Sequence, residues 1–88
     1  MPIVHLQASH FAPAVVHVRK GGAVRWKWDE PGVFHTVTSR GKQRFKSSGY
    51  RKRGTYRVVF RRTGTYRYHC EIHADMRGRV VVSTSNQR

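Results

Sequence analysis

The run Gly64-Thr65-Tyr66-Arg67-Tyr68-His69-Cys70-Glu71-Ile72-His73-Ala74-Asp75-Met76-Arg77-Gly78-Arg79-Val80-Val81-Val82 changes character twice. Tyr66, Tyr68 and Cys70 fall on one side of an extended chain, with Arg67 and His69 on the other. Successive side chains of a strand point to opposite faces, so this alternation predicts a strand with one face buried. Val80 and Val82 resume the pattern in a last strand. The residues between have no strand period and read as a tight loop, with Gly78 as the turn into the last strand.

The same period of two recurs towards the N-terminus. Val16 and Val18 oppose His17 and Arg19, and Val24, Trp26 and Trp28 oppose Arg25 and Lys27. Val33, His35 and Val37 form a further inward set. Tyr56, Val58 and Phe60 alternate with Arg57 and Arg61. Ile3-Val4-His5-Leu6-Gln7 has the composition of a strand, although its parity is blurred. Turn signals separate these runs at Phe11-Ala12-Pro13, Gly21-Gly22, Pro31-Gly32, Ser47-Ser48-Gly49, Gly54 and Thr63-Gly64. Seven to eight short strands at about ten-residue spacing predict an all-β sandwich or small barrel. Composition agrees, with twelve valines against one leucine in 88 residues. β-branched and aromatic residues suit a pleated, half-buried surface, and a helical bundle is excluded. The length predicts a single domain, 1–88, with residues 40–54 a long surface connection and 83–88 a frayed tail. No stretch reaches the roughly 20 apolar residues of a transmembrane helix. No charged-then-apolar leader opens the chain, so no signal peptide is expected in it.

The chemistry concentrates in Cys70, His73 and Met76, with His35 far upstream. A single cysteine excludes an internal disulfide and leaves an inert thiol, a reactive one or a metal ligand. One thiolate and two imidazoles make a trigonal set, and a thioether can lie axial and long, which is the blue-copper ligand set. Cys70 has inward parity at the end of its strand, and His73 and Met76 come from one loop. His35 shares inward parity with Val33 and Val37, so it can reach the same end of the molecule from another strand. Cys-x-x-His alone is a weak signal, because zinc sites use it too. His69 has the opposite parity to Cys70 and reads as a solvated or hydrogen-bonded side chain. His5, His10 and His17 read as surface residues. Trp26, Trp28, Tyr56, Phe60, Tyr66 and Tyr68 read as core.

Gly64-Thr65-Tyr66-Arg67-Tyr68-His69-Cys70, then His73, Met76, Gly78 and Val80-Val81-Val82, resembles the C-terminal copper motif of the small cupredoxins. The short Cys-x-x-His-x-x-Met loop is similar to that of the amicyanins. Phe11-x-Pro13, Val18-x-x-Gly21, Val24-x-Trp26 and His35-Thr36-Val37-Thr38-Ser39 match the plastocyanin and amicyanin pattern, so the resemblance spans nearly the whole chain. It implies a Greek-key β-sandwich and one copper per chain, cycling between Cu(I) and Cu(II). The implied ligands are His35, Cys70, His73 and Met76. It further implies one-electron transfer rather than enzyme activity, a monomer, and a periplasmic or extracellular location. The edge of His73 is then the expected electron port, framed by Pro13, Pro31, Val33 and Ala74. Where amicyanin-type loops often carry prolines on either side of the second ligand histidine, this loop has Ile72 and Ala74.

The charge admits further readings. Lys and Arg number 18 against 4 Asp and Glu, a formal net charge of +14. Ten of those 18 basic residues lie between Arg40 and Arg62. Such a surface favours an acidic redox partner and attracts anions and nucleic acid nonspecifically. A resurfaced natural scaffold would look the same. The alternative classes are a basic β-barrel that binds nucleic acid, and a copper storage or delivery protein. The first lacks a run of exposed aromatics flanked by glycines.

Overall fold

A computed structural model describes residues 1–73 and 75–84. Eight strands form two four-stranded sheets. The strands are β1 (Ile3–Gln7), β2 (His10–Ala12), β3 (Val15–Arg19), β4 (Ala23–Trp28), β5 (Thr38–Arg40), β6 (Thr55–Val59), β7 (Gly64–His69) and β8 (Arg77–Ser83). One sheet has the order β2-β1-β4-β6 and the other β3-β8-β7-β5. β1 pairs with β4 and β3 with β8 in parallel; the remaining pairs are antiparallel.

The alternation read from sequence sets what each sheet buries. Val4, Leu6, Val24, Trp26 and Trp28 point inward from the first sheet, and Val16, Val18, Tyr66, Tyr68, Val80 and Val82 from the second. Trp26 is the centre of an aromatic cluster. Its ring meets Tyr68 edge-on at 5.4 Å and stacks on Phe45 at 5.5 Å. Aromatic pairs in these geometries add to the burial of their area.

Several expectations are corrected. Val33 is not inward but 37% exposed. The Pro31-Gly32 turn, closed by Val33 N–H donating to the Glu30 carbonyl at 3.0 Å, carries it outside the core. His35 therefore does not lie on a regular strand; it makes an isolated bridge to Arg51 ahead of β5. Tyr56 is only half-buried, because β6 is an edge strand. Phe11 belongs to β2 and is core rather than turn. The turn before it, Ala8-Ser9, has φ of 49° and 60°. It carries neither Gly nor Asn, the residues by which a left-handed hairpin turn is recognised. Gly78 lies inside β8 rather than at a turn. Residues 40–54 do connect β5 to β6 as expected, but Phe45 from this segment enters the core. The expected frayed tail falls largely outside the described residues.

Candidate metal centre

β7 delivers Cys70 one residue past its end, at the rim of the sandwich. The chain then turns sharply. Cys70 N–H donates to the Met76 carbonyl at 3.0 Å, and Met76 N–H to the His73 carbonyl at 2.9 Å. These two bonds close the loop on itself and hold its two ends together. Cys70 and Met76 are each 1% exposed, and His73 is half-buried.

His35 arrives from the other direction. Its backbone N–H donates to the Arg51 carbonyl at 2.9 Å, and its own carbonyl accepts from Trp28 Nε1 at 3.1 Å. Downstream, hydroxyls take the place of a partner strand. Val37 N–H donates to Ser48 Oγ and Ser39 N–H to Ser47 Oγ, each at 2.9 Å. The segment stays extended and anchored on this edge by hydroxyls, while β5 pairs with β7 on the other.

The result is a compact donor set. Cys70 Sγ lies 3.9 Å from His35 Nδ1 and 3.7 Å from His73 Nδ1. The ligand atoms of His35, Cys70 and His73 all fall within 4.8 Å of one another. One soft thiolate and two imidazoles at this separation can share a metal ion with minor adjustment, and the burial excludes competing water. Met76 is placed in the core beside the loop bonds. The other expected features divide. His10 and His17 are exposed, as read, but His5 is half-buried and paired with Asp29. His69 is half-buried, with Nε2 3.8 Å from Glu71.

Electrostatics prepare the thiol. Burial alone would raise its pKa. It is outweighed by the Thr36 N–H, 3.4 Å from the sulfur, and by the Ile72 backbone and the two histidines, which bring Cys70 down from 9.0 to about 6. Thr36 is itself fixed, since its Oγ1 accepts from Glu71 N–H at 2.8 Å and shares a 2.8 Å hydrogen bond with Thr38 Oγ1.

Sequence reading missed Glu30. His35 turns Nδ1 to the sulfur and Nε2 to Glu30 Oε1, 2.7 Å away. A carboxylate on the far nitrogen fixes the tautomer that leaves Nδ1 free to bind metal. Glu30 is held below the usual carboxylate range, chiefly by this bond and also by the backbone of Ala8 and Ser9. No spacing rule links positions five apart across a turn, so only the fold reveals the pair. Phe34, 47% exposed, was missed too, and Ile72, noted only for its place in the loop, is 45% exposed. They flank His35 and His73 in sequence and are more exposed than Val33. Pro13 and Pro31 are exposed, and Ala74 lies outside the described residues.

No family model matches the chain. Over 83 residues it is 34% identical to amicyanin from Paracoccus denitrificans, covering 91% of this chain and 63% of that protein. The chain thus spans a little under two thirds of the length of this curated relative. A structure of the reduced state of an amicyanin variant superposes with a TM-score of 0.79 at 30% identity, over 93% of this chain and 81% of that one. A second amicyanin variant, in its reduced Cu(I) form at pH 4, gives a TM-score of 0.82 at 29% identity, again over 93% and 81%. With the Cys-x-x-His-x-x-Met loop and a buried two-histidine, one-thiolate set in place, the chain belongs to the cupredoxin family as an amicyanin-like type 1 copper protein.

Proposed function

We propose that the chain carries single electrons, and that His35, Cys70, His73 and Met76 would hold the copper that supplies them. The observation that carries this reading is the preassembled donor set, whose ligand atoms already lie within 4.8 Å of one another. Copper bound there supplies a one-electron Cu(II)/Cu(I) couple whose two states accept similar geometry. The protein's part is to keep that geometry fixed. Glu30 and the His35–Arg51 bridge hold one imidazole, and the Cys70–Met76 and Met76–His73 backbone bonds hold the other three donors on one short loop. The Thr36 N–H helps keep the sulfur anionic. His73, the more exposed of the two histidines, offers the path by which an electron leaves. An acidic protein is the partner that the charge selects, and a periplasmic or extracellular setting follows the relatives. A storage protein would need the same donors, but it would not need fast exchange with a redox partner.

Loading with Cu(II) tests the reading. A strong visible thiolate-to-copper band and a reversible one-electron wave are expected. Cys70→Ser should abolish the band, because a hydroxyl is a poor substitute for thiolate. Met76→Leu should keep the colour and shift the potential upward. A band that survives Cys70→Ser would overturn the ligand assignment, and copper binding without reversible redox would favour storage.

A further inference from the structure

The outer face of the β3-β8-β7-β5 sheet carries an arrangement that the copper site does not use. Strand register sets Val15, Arg79, Arg67 and Arg40 side by side across four strands. Three guanidinium stems thus span two interstrand steps, about 10 Å. Like charges directly opposite each other on a sheet are destabilising, so the fold bears a cost here. Among the described residues no ion pair engages Arg40, Arg67 or Arg79. Arg40 Nε is buried and has no hydrogen-bond partner.

The surface around this row is concave. One hollow lies among Arg40, Arg67, Arg77 and Arg79, with Ala14, Val15 and Gly78 completing its lining. A second opens among Arg40, Lys42, Gln43, Thr65 and Arg67. A third, among Arg40, His69, Cys70, Glu71 and Arg77, borders the candidate metal centre and is not part of this site. Arg40 and Arg67 line both of the first two hollows, which lie side by side as one basic trough.

We propose that this trough binds an oligophosphate, a molecule carrying two or more phosphate groups in series. Guanidinium forks recognise both carboxylates and phosphates. The number of forks decides between them. A carboxylate is taken up by one fork, whereas phosphates in series repeat their acceptors along the row, two free oxygens and one charge at each bridging phosphate and three oxygens with nearly two charges at a terminal one. Neighbouring arginines that repel one another become a matched row once phosphates lie between them. The site is independent of the copper reading, because the residues lining these two hollows include none of the proposed copper ligands.

The test uses the reduced copper-loaded protein, followed by amide NMR shifts at fixed ionic strength. Tripolyphosphate and a short oligothymidylate are the two probes. Shifts should centre on Arg40, Arg67, Gly78 and Arg79. Arg67→Gln and, separately, Arg79→Gln should each weaken binding about tenfold, the loss of one charge-assisted hydrogen-bonded contact. Arg57→Gln, on the other sheet, removes the same charge and should weaken it less than about twofold. Binding of either probe with this pattern supports the site, and the tighter probe assigns the source as free oligophosphate or phosphodiester backbone. Equal losses in all three variants would show a diffuse field and overturn the site. A hexaglutamate peptide bound as tightly, with the same arginine dependence, would overturn the assignment to phosphate.

Discussion

A thiol that titrates near 6 is mostly thiolate at neutral pH, so in the metal-free protein Cys70 is already in the form that a soft metal takes. Its folded value lies below the ordinary 9.0, so the unfolded chain binds the proton more tightly between those values. The Cys70 contribution to stability is therefore full above about 9 and is lost as pH falls through about 6. Thermal melts of metal-free protein should show rising stability across that window. A thiolate absorbance titration should show a midpoint near the lower value. An ordinary thiol titration would mean that Thr36 and the histidines do not act on the sulfur as described. Glu30 acts on the same centre from behind His35. Glu30→Gln keeps an acceptor for Nε2–H but removes a negative charge that favours the more positive oxidation state. Voltammetry should show the potential rise by on the order of tens of millivolts, since Glu30 is partly screened by solvent. A fall, or no change, would leave Glu30 with a purely steric role.

At the scale of the element, β8 passes closer to β7 than a side chain would allow. A Cβ at Gly78 would lie 2.6 Å from Tyr68 Cζ and Oη. Tyr68 cannot retreat, being fully buried and wedged edge-on against Phe11 at 4.7 Å and Trp26 at 5.4 Å. Burial also pushes its phenol up to about 12, so it stays neutral. Gly78→Ala should lower stability by about 1–3 kcal/mol, the usual cost of overpacking. Denaturant midpoints measure this, and an unchanged midpoint would show that the ring has room to move. The same pair shows how far the sequence can be read. Strict alternation made β3, β4, β7 and β8 legible, with Cys70 at the end of β7 and the loop ligands behind it. It could not show that Gly78 exists for Tyr68, because that contact depends on pairing rather than spacing. It failed for Val33 because the Pro31-Gly32 turn breaks the period, and for Phe45 because a loop can return one side chain to the core. The inward parity of His35 was legible although its segment, ahead of β5, is held by a single bridge to Arg51 and by the Ser47 and Ser48 hydroxyls. Its partner Glu30 had no motif to announce it.

At the scale of the molecule, a net charge of +14 on 88 residues is a standing repulsion. Charges this dense lie within the Debye length, about 10 Å at 0.1 M salt. Raising sodium chloride from low to moderate concentration should therefore raise the melting temperature, as measured by calorimetry. Over the same range, encounter with an acidic partner should slow, since steering depends on the unscreened field. A melting temperature indifferent to salt would mean that the repulsion is already relieved within the fold. The strand order carries a different consequence, one of time. β3 (Val15–Arg19) has β8 (Arg77–Ser83) as its neighbour, so the second sheet joins near-opposite ends of the chain. Pairings between such distant segments form late, after the entropy of closing a long loop, and give folding on the order of milliseconds to seconds. On the ribosome, the second sheet cannot close until Ser83 has left the exit tunnel. Copper supplied to a nascent chain would thus meet Cys70 and His73 before β8 has locked their loop in place. Maturation of the centre is then a step that waits on the closing of the second sheet.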